Sequence, residues 1–213
     1  MGFKKIFKKV LDKRRTKKFS KFTVLNRDVS ILSNCCIGGA MYHDLGLQFE
    51  SPTINLYFSH HGFIDYVNNL DRYILNGTIV DSKKREKSNN APIGILICEG
   101  LPSIEIHFLH YTSFEEAKAK WIDRTKRINL NKIYLVIEAK DDHEHALLDE
   151  YASLPYKKII FTNQASNIKK SIIHMPFYDK HPNGNITSFE GFCGKKGYDA
   201  FNFVEHIFNN TEW

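Results

Sequence analysis

The sequence lacks the features of a membrane-spanning or secreted protein. No apolar run in its 213 residues approaches the roughly 20 residues needed to cross a bilayer. The basic N-terminus has neither a long apolar core nor a small-residue cleavage site, so we do not expect a signal peptide. Only four cysteines are present, and the adjacent residues Cys35 and Cys36 are unsuited to bridging each other. Free thiols in a reducing cytoplasm are therefore expected.

Several motifs with well-understood chemistry are also absent. The chain has no phosphate loop of the G-x-x-x-x-G-K-[ST] type, no G-x-G-x-x-G after its first predicted strand, no C-x-x-C pair and no H-E-x-x-H. We therefore predict no metal site and no bound cofactor. The composition, with 42% hydrophobic and 25% charged residues, is typical of a folded globular chain that forms one domain.

The net charge of +6 is distributed unevenly. Residues 1–21 contain ten Lys/Arg and one acid, for a charge of +9, whereas the rest of the chain carries −3. A body of that charge does not favour nucleic acid as a partner. Residues 1–24 are expected to be an arm containing a basic amphipathic helix, which lies on an anionic membrane surface or docks on a single domain at 25–213. Its apolar stripe at helical spacing consists of Phe3, Ile6, Phe7, Val10 and Leu11.

Hydrophobic periodicity predicts that strands alternate with helices in the remainder. Extended segments are predicted at 28–33, 51–58, 92–98, 104–109, 132–139, 158–162 and 171–174. Helices are predicted at 39–47, 59–76, 113–128, 143–154 and 198–208, with a polar loop at 81–91 and a turn at 183–185. This order predicts an α/β fold whose mixed, largely parallel sheet is covered on both faces.

The most informative stretch is 30–44, where an apolar strand leads into Ser33-Asn34-Cys35-Cys36-Ile37-Gly38-Gly39. In α/β folds a turn between a strand and a helix is a common ligand site. Amides at a helix N-terminus stabilise a thiolate and bind an oxyanion, so Cys36 is a candidate nucleophile or oxyanion-site residue. Asn34 and the backbone near Gly38 would donate further hydrogen bonds to that oxyanion. A buried, unreactive Cys36 is the alternative interpretation.

A nucleophilic cysteine needs a general base, and His43 and His110 are the candidates. His110 and its neighbour Tyr111 follow a predicted strand on a loop, where functional residues often lie. The helix at 113–128 presents a basic face that suits a phosphate group, although ion pairs with acids four residues earlier fit the same spacing. That face consists of Lys120, Arg124 and Arg127.

Three segments within residues 28–139 carry a resemblance to known proteins. They are Leu32-Ser33-Asn34-Cys35-Cys36-Ile37-Gly38-Gly39 with Tyr42, then Ser51-Pro52-Thr53-Ile54-Asn55-Leu56, and finally Phe108-Leu109-His110-Tyr111 with the basic helix. Together they resemble a bacterial family of exopolysaccharide biosynthesis proteins, or domains of unknown function, whose pattern is Ser-Asn-Asn-Cys. Cys35 thus stands where an asparagine is usual, and Cys36 keeps the family cysteine.

The resemblance implies a three-layer α/β/α domain and a place in the synthesis of capsular or other surface polysaccharide. The Ser-Asn-x-Cys turn is also similar to the strand-end turn of polysaccharide acyltransferases with an SGNH-hydrolase-like layout.

The leading hypothesis is a cytoplasmic enzyme, associated with the inner face of the membrane, that transfers an acyl (acetyl) group from acyl-CoA to a sugar or a lipid-linked oligosaccharide. The predicted catalytic residues are Cys36, His43 and His110. The predicted oxyanion- and substrate-binding residues are Ser33, Asn34, Gly38, Gly39, Asp44, Asn55, Tyr111, Arg124 and Arg127.

One alternative is a glycosyl or glycosyl-phosphate transferase, with Asp44 or the basic helix holding a nucleotide sugar. Another is a non-catalytic assembly protein of polysaccharide synthesis that docks on the membrane surface.

Overall fold

A computed structural model describes residues 2–20, 28–140, 145–164, 170–190 and 194–208. Its helices are α1 (Gly2–Phe19), α2 (Ile37–Leu45), α3 (His60–Asn68), α4 (Leu70–Asn76), α5 (Phe114–Thr125), α6 (His145–Ser153), α7 (Pro176–Lys180) and α8 (Phe203–Phe208), with a 3₁₀ turn at Gly197–Ala200. Its strands are β1 (Ser30–Ser33), β2 (Tyr57–Phe58), β3 (Thr78–Arg85), β4 (Pro92–Ile97), β5 (Ile104–His107), β6 (Ile133–Ala139), β7 (Lys157–Thr162) and β8 (Ile172–His174). The described helices include none that is long and apolar enough to cross a membrane.

The described strands form two four-stranded sheets of different character. The order β1-β6-β7-β8 is parallel throughout, whereas the order β2-β5-β4-β3 is antiparallel throughout. Every residue of β1 and all residues of β6 except Glu138 are buried, because both faces of that sheet are covered. The predicted α/β fold with an N-terminal helix is confirmed, and its parallel and antiparallel pairings lie in separate sheets.

Alternate residues of the parallel strands face two different apolar clusters. Leu135 and Ile137 of β6 pack with the antiparallel sheet and with α3 to α6. Tyr134 and Val136 pack on the opposite face with α1, α2, α7 and α8. This alternation buries both faces of the parallel sheet and leaves its strand ends as the accessible edge.

Two local features differ from the sequence-based expectations. Strand β3 occupies part of the predicted loop at 81–91, because it is a polar edge strand that lacks the alternating apolar residues of a half-buried strand. The predicted helix at 59–76 is divided at Asn69, whose backbone departs from helical geometry. The predicted start of α6 at 143 lies outside the described residues.

Helix α1 docks on the domain through a face that includes Leu11 of the predicted apolar stripe but neither Ile6 nor Val10. Leu11, Arg15 and Phe19 are buried, at a spacing of four residues, against α2 and the C-terminal segment. Within the stripe, Ile6 and Val10 are exposed. The predicted arm therefore packs along part of its length, and its residues 21–24 lie outside the described residues.

A buried ionic network around Asp44 anchors α1 to the domain. Arg15 donates to one oxygen of the Asp44 carboxylate at 2.7 Å, and the Lys196 ammonium donates to the other at 2.9 Å. The Tyr198 hydroxyl also donates to Asp44, and Arg15 continues to Asp199. Although burial alone would raise the pKa of Asp44, hydrogen bonds and charges from Arg15, Lys196 and Tyr198 outweigh it and lower that pKa.

The enclosure of Asp44 corrects its predicted role as a substrate ligand. Its side chain is fully buried, and both of its oxygens are occupied by Arg15, Lys196 and Tyr198. Asp44 therefore joins α1, α2 and the C-terminal segment and has no surface to offer a nucleotide sugar.

Replacing Asp44 by Asn leaves the buried Lys196 charge without its counter-charge and leaves Arg15 with Asp199 alone, so we expect the free energy of unfolding to fall by about 3–5 kcal/mol. Urea denaturation at neutral pH measures this loss. Because the pKa of Asp44 is lower in the folded state, its contribution is complete above about pH 4 and disappears as the pH falls through the folded-state value. The stability difference between wild type and Asp44→Asn should therefore shrink in acid.

The matched control is Asp123→Asn, which removes an exposed carboxylate that pairs with Arg127. We expect little change in stability for that variant, because exposed ion pairs are screened by water and salt. Equal losses in the two variants would contradict the anchoring role of Asp44.

Candidate functional site

A cleft of about 280 Å³ opens at the carboxyl edge of the parallel sheet. Strands β1 and β6 are parallel neighbours, so the turn after β1 and the last residues of β6 reach the same edge. The cleft is lined by Cys35, Cys36, Ile37, Tyr57, Leu109, Glu138, Lys140, Asn183, Gly184, Asn185 and Thr187. The sequence-based hypothesis placed a site at the β1 turn, and the cleft lies there.

The Asn34 side chain joins the two strand ends. Its amide nitrogen donates to the backbone carbonyl of Glu138 at 2.9 Å, and its amide oxygen accepts from the backbone N–H of Glu138 at 3.0 Å. The Asn34 carbonyl also accepts from the N–H of Phe58 in β2. Asn34 is thus buried and fully engaged, and its role is to position Glu138 rather than to bind an oxyanion.

The Glu138 carboxylate is the central polar group of the cleft. One oxygen accepts a hydrogen bond from the Cys35 thiol at 3.3 Å, and the other accepts one from the Tyr178 hydroxyl. The Lys140 ammonium lies 3.9 Å from the same carboxylate. These contacts hold a carboxylate in a fixed orientation at the cleft wall, where it can exchange a proton with a bound ligand.

Burial raises the pKa of both thiols in the turn, and the negative charge of Glu138 raises it further. The pKa of Cys36 is raised to about 11. The sequence-based hypothesis expected the opposite direction, because helix N-terminal amides stabilise a thiolate. In the folded chain, desolvation and Glu138 dominate, so Cys36 is a protonated thiol at neutral pH.

Neither predicted histidine lies in this cleft. His43 is seven residues along α2 from Cys36, which separates the two by about 10 Å along the helix axis. Its ring is 54% exposed beside α1 and lies 3.7 Å from Asp44. His110 is exposed on the loop after β5 and is absent from the cleft lining. The structure therefore brings neither of the two predicted histidines, His43 and His110, into position as the general base for Cys36.

The two glycines and Ser33 serve packing. A Cβ on Gly38 would lie 2.8 Å from the Cβ of Ser33, and a Cβ on Gly39 would lie 3.2 Å from the Ile54 side chain. Both glycines and Ser33 are buried. Gly38 and Gly39 therefore allow α2 to approach β1 and the 51–56 segment closely, and they do not line the cleft.

The predicted phosphate-binding residues instead support the segment that precedes β2. The Arg124 guanidinium is buried over the Phe49 ring and donates to the Tyr111 hydroxyl at 2.6 Å. Tyr111 in turn donates to the Ile54 carbonyl, and Arg127 donates to the Phe49 carbonyl. Asn55 lies in the same segment in a left-handed conformation, with its amide oxygen close to Gly39. These side chains bind protein groups and leave Arg124 no exposed surface for phosphate.

Possible metal ligands meet at one place among the described residues. Asp12, His43 and Asp44 each place one ligand atom within 4.8 Å of the others. Arg15 and Lys196 already neutralise Asp44 there. A cation would have to compete with these two buried charges, so this arrangement does not favour metal binding.

Sequence reasoning missed the acidic and amide groups of the cleft. Glu138 ends an apolar strand, which is a detectable signal for a strand-end ligand site. The turn at 183–185 was predicted only as a turn, and nothing local in its sequence indicates that it faces β1. Tyr57, Lys140 and Thr187 also line the cleft, and no local sequence pattern predicts their position there.

Comparison with known proteins covers nearly the whole chain. The family model described as "Domain of unknown function (DUF1919)" matches residues 4–208, which include α1, the cleft residues and α8. An "Uncharacterized protein" of Haemophilus influenzae is 34% identical over 183 residues, which is 84% of this chain and 84% of that protein.

The raised pKa of Cys36 predicts slow alkylation. At neutral pH its reaction with iodoacetamide should be on the order of 100-fold slower than that of an unperturbed thiol, and should accelerate as the pH approaches about 11. Peptide mass spectrometry assigns the modified cysteine. Glu138→Gln should accelerate the reaction, because it removes the negative charge that opposes the thiolate.

Glu105→Gln is the matched control, because Glu105 lies on β5 and is absent from the cleft lining. It should leave the rate at Cys36 unchanged. Rapid and selective modification of Cys36 in the wild type at neutral pH would show that the thiol is activated after all.

Proposed function

The chain belongs to the DUF1919 family, a domain of unknown function, and for it we propose transfer of an acyl group to a sugar hydroxyl in the strand-end cleft. The observation that carries the proposal is the Glu138 carboxylate, fixed by Asn34, Cys35 and Tyr178 at the carboxyl edge of the parallel sheet. In this proposal Glu138 is the general base, and His43 and His110, the candidate bases of the sequence-based hypothesis, have no catalytic role.

The lining of the cleft supports a carbohydrate as the acceptor. Asn183, Asn185 and Thr187 supply neutral hydrogen-bonding groups of the kind that suit sugar hydroxyls. The partly exposed ring of Tyr57 supplies an apolar surface that ends in a polar hydroxyl group. With one carboxylate, one lysine and several neutral polar groups, the cleft suits a sugar hydroxyl as the group that reaches Glu138.

The proposed reaction uses an acyl thioester such as acyl-CoA as the donor. The acceptor hydroxyl oxygen attacks the acyl carbonyl carbon while Glu138 removes the hydroxyl proton. The carbon–sulfur bond of the thioester then breaks, and the proton passes from Glu138 to the departing thiolate. The products are a sugar ester and a free thiol, and no other reactant is needed.

The start of α2 would stabilise the negative charge that develops on the acyl oxygen. Ile37 is the first residue of that helix and lines the cleft. The N–H groups of a first helical turn have no partner within the helix, and the helix dipole favours an anion there. Cys36 would contribute as a protonated thiol beside these amides, without forming an acyl-enzyme.

The place of this reaction in capsular or exopolysaccharide synthesis rests on the resemblance of three sequence segments alone. The acceptor in that setting would be a sugar or a lipid-linked oligosaccharide. Use of acyl-CoA would place the protein in the cytoplasm.

The test is an acyl-transfer assay with acetyl-CoA and a panel of free and nucleotide-linked hexoses and N-acetylhexosamines. We expect thiol release coupled to formation of a sugar ester, detected by mass spectrometry. Glu138→Gln should lower kcat by about 10²–10⁴ because it removes the general base. Cys36→Ala should retain most of the activity, because no covalent intermediate is involved.

Glu105→Gln serves as the matched control and should behave as wild type. Full activity in Glu138→Gln would contradict the proposal. Loss of activity in Cys36→Ala together with a trapped acyl-cysteine would instead support the covalent route of the original hypothesis.

A further inference from the structure

We propose that the outward face of α1 binds the surface of an anionic phospholipid bilayer. One side of the helix packs on the domain and carries the buried residues Leu11, Arg15 and Phe19. The opposite side carries Ile6, Val10, Lys13 and Lys17, at a spacing of four, three and four residues that places them on one face. Ile6 is 64% exposed and Val10 is 41% exposed, so this face combines uncovered apolar side chains with lysines.

A depression of about 660 Å³ beside this face has the polar groups that a phosphate headgroup needs. Lys9, Lys13 and Lys17 recur at four-residue intervals of α1 along its wall, and Thr16 of the same helix and His43 of α2 also line it. Asp12 is the one acidic residue of the lining, so the balance of charge is positive. The ammonium groups are exposed, and each can approach a phosphate oxygen without leaving a buried partner.

The arrangement of charge favours a bilayer over nucleic acid. Residues 1–21 carry a net charge of +9, while the rest of the chain carries −3. Nucleic acid recognition needs positive charge but no neighbouring aliphatic residues. Ile6 and Val10 beside the lysines suit the boundary between headgroups and acyl chains, where amphipathic helices lie in the plane of the membrane.

The buried ion pairs around Asp44 fix the rotational orientation of α1 on the domain. Arg15 is held by Asp44 and Asp199, so α1 cannot rotate its lysines toward the domain without breaking buried ion pairs. The helix is thereby ordered before it meets a surface, which lowers the entropic cost of binding.

The test is co-sedimentation of the full chain with vesicles of phosphatidylcholine alone and of equimolar phosphatidylcholine and phosphatidylglycerol. We expect binding to the anionic vesicles only, weakened by added salt. The triple variant K9Q/K13Q/K17Q should bind them on the order of 100-fold more weakly. Ile6→Ser combined with Val10→Ser should weaken binding about tenfold at unchanged charge.

The matched control is K83Q/K84Q/K87Q, which removes three exposed lysines from the β3–β4 region. It should bind the vesicles as wild type does, and unchanged melting temperatures should show that all variants are folded. Equal binding to neutral and anionic vesicles, equal loss in both triple variants, or binding to duplex DNA in place of vesicles would overturn the proposal. Acyl-transfer activity of K9Q/K13Q/K17Q on a water-soluble acceptor should be unchanged, which separates this inference from the proposed function.

Discussion

The cleft depends on one side chain that continues a sheet beyond the end of a strand. Strand β1 ends at Ser33, yet the Asn34 side-chain amide bonds both the backbone N–H and the backbone carbonyl of Glu138 in the neighbouring strand. This pairing holds the ends of β1 and β6 together while the chain turns into α2. Without it, the Glu138 carboxylate would not be held beside the thiols, and the edge of the parallel sheet would have no fixed acid–base group.

Two carboxylates, Asp44 fully buried and Glu138 half-buried, have different roles in the structure. Asp44 is surrounded by cations and a phenol, which makes it a structural anchor for α1 and the C-terminal segment. Glu138 is held mainly by neutral donors, a thiol and a phenol, with one lysine at longer range. The Glu138 carboxylate also lines the cleft, whereas Asp44 has no exposed surface, and this difference is why we propose Glu138 as the reactive group.

The sequence predicted the regular elements better than the site. Apolar runs identified β1, β6 and β7, and the helix predicted at 113–128 corresponds to α5, which Ser113 caps by accepting from the N–H of Glu116. Glu138 was not predicted as a site residue because its position is fixed by hydrogen bonds from distant parts of the chain. Asn34, which bonds its backbone, is 104 residues away, and Tyr178, which bonds its carboxylate, lies on a third element. Arg124 has the spacing of a solvated helix face, but the Phe49 ring and the Tyr111 hydroxyl bury it. Local patterns describe elements, whereas the partners of a polar side chain depend on which elements meet.

The central claim is that the cleft around Glu138, and not the basic face of α1, is where the acyl donor and acceptor meet. The most direct measurement is NMR titration of the isotope-labelled chain with acetyl-CoA, at a salt concentration that suppresses weak attraction to lysines. We expect saturable shifts of the amides of Cys36, Glu138 and Lys140. Shifts confined to Lys9, Lys13 and Lys17, with the cleft amides unmoved, would contradict it.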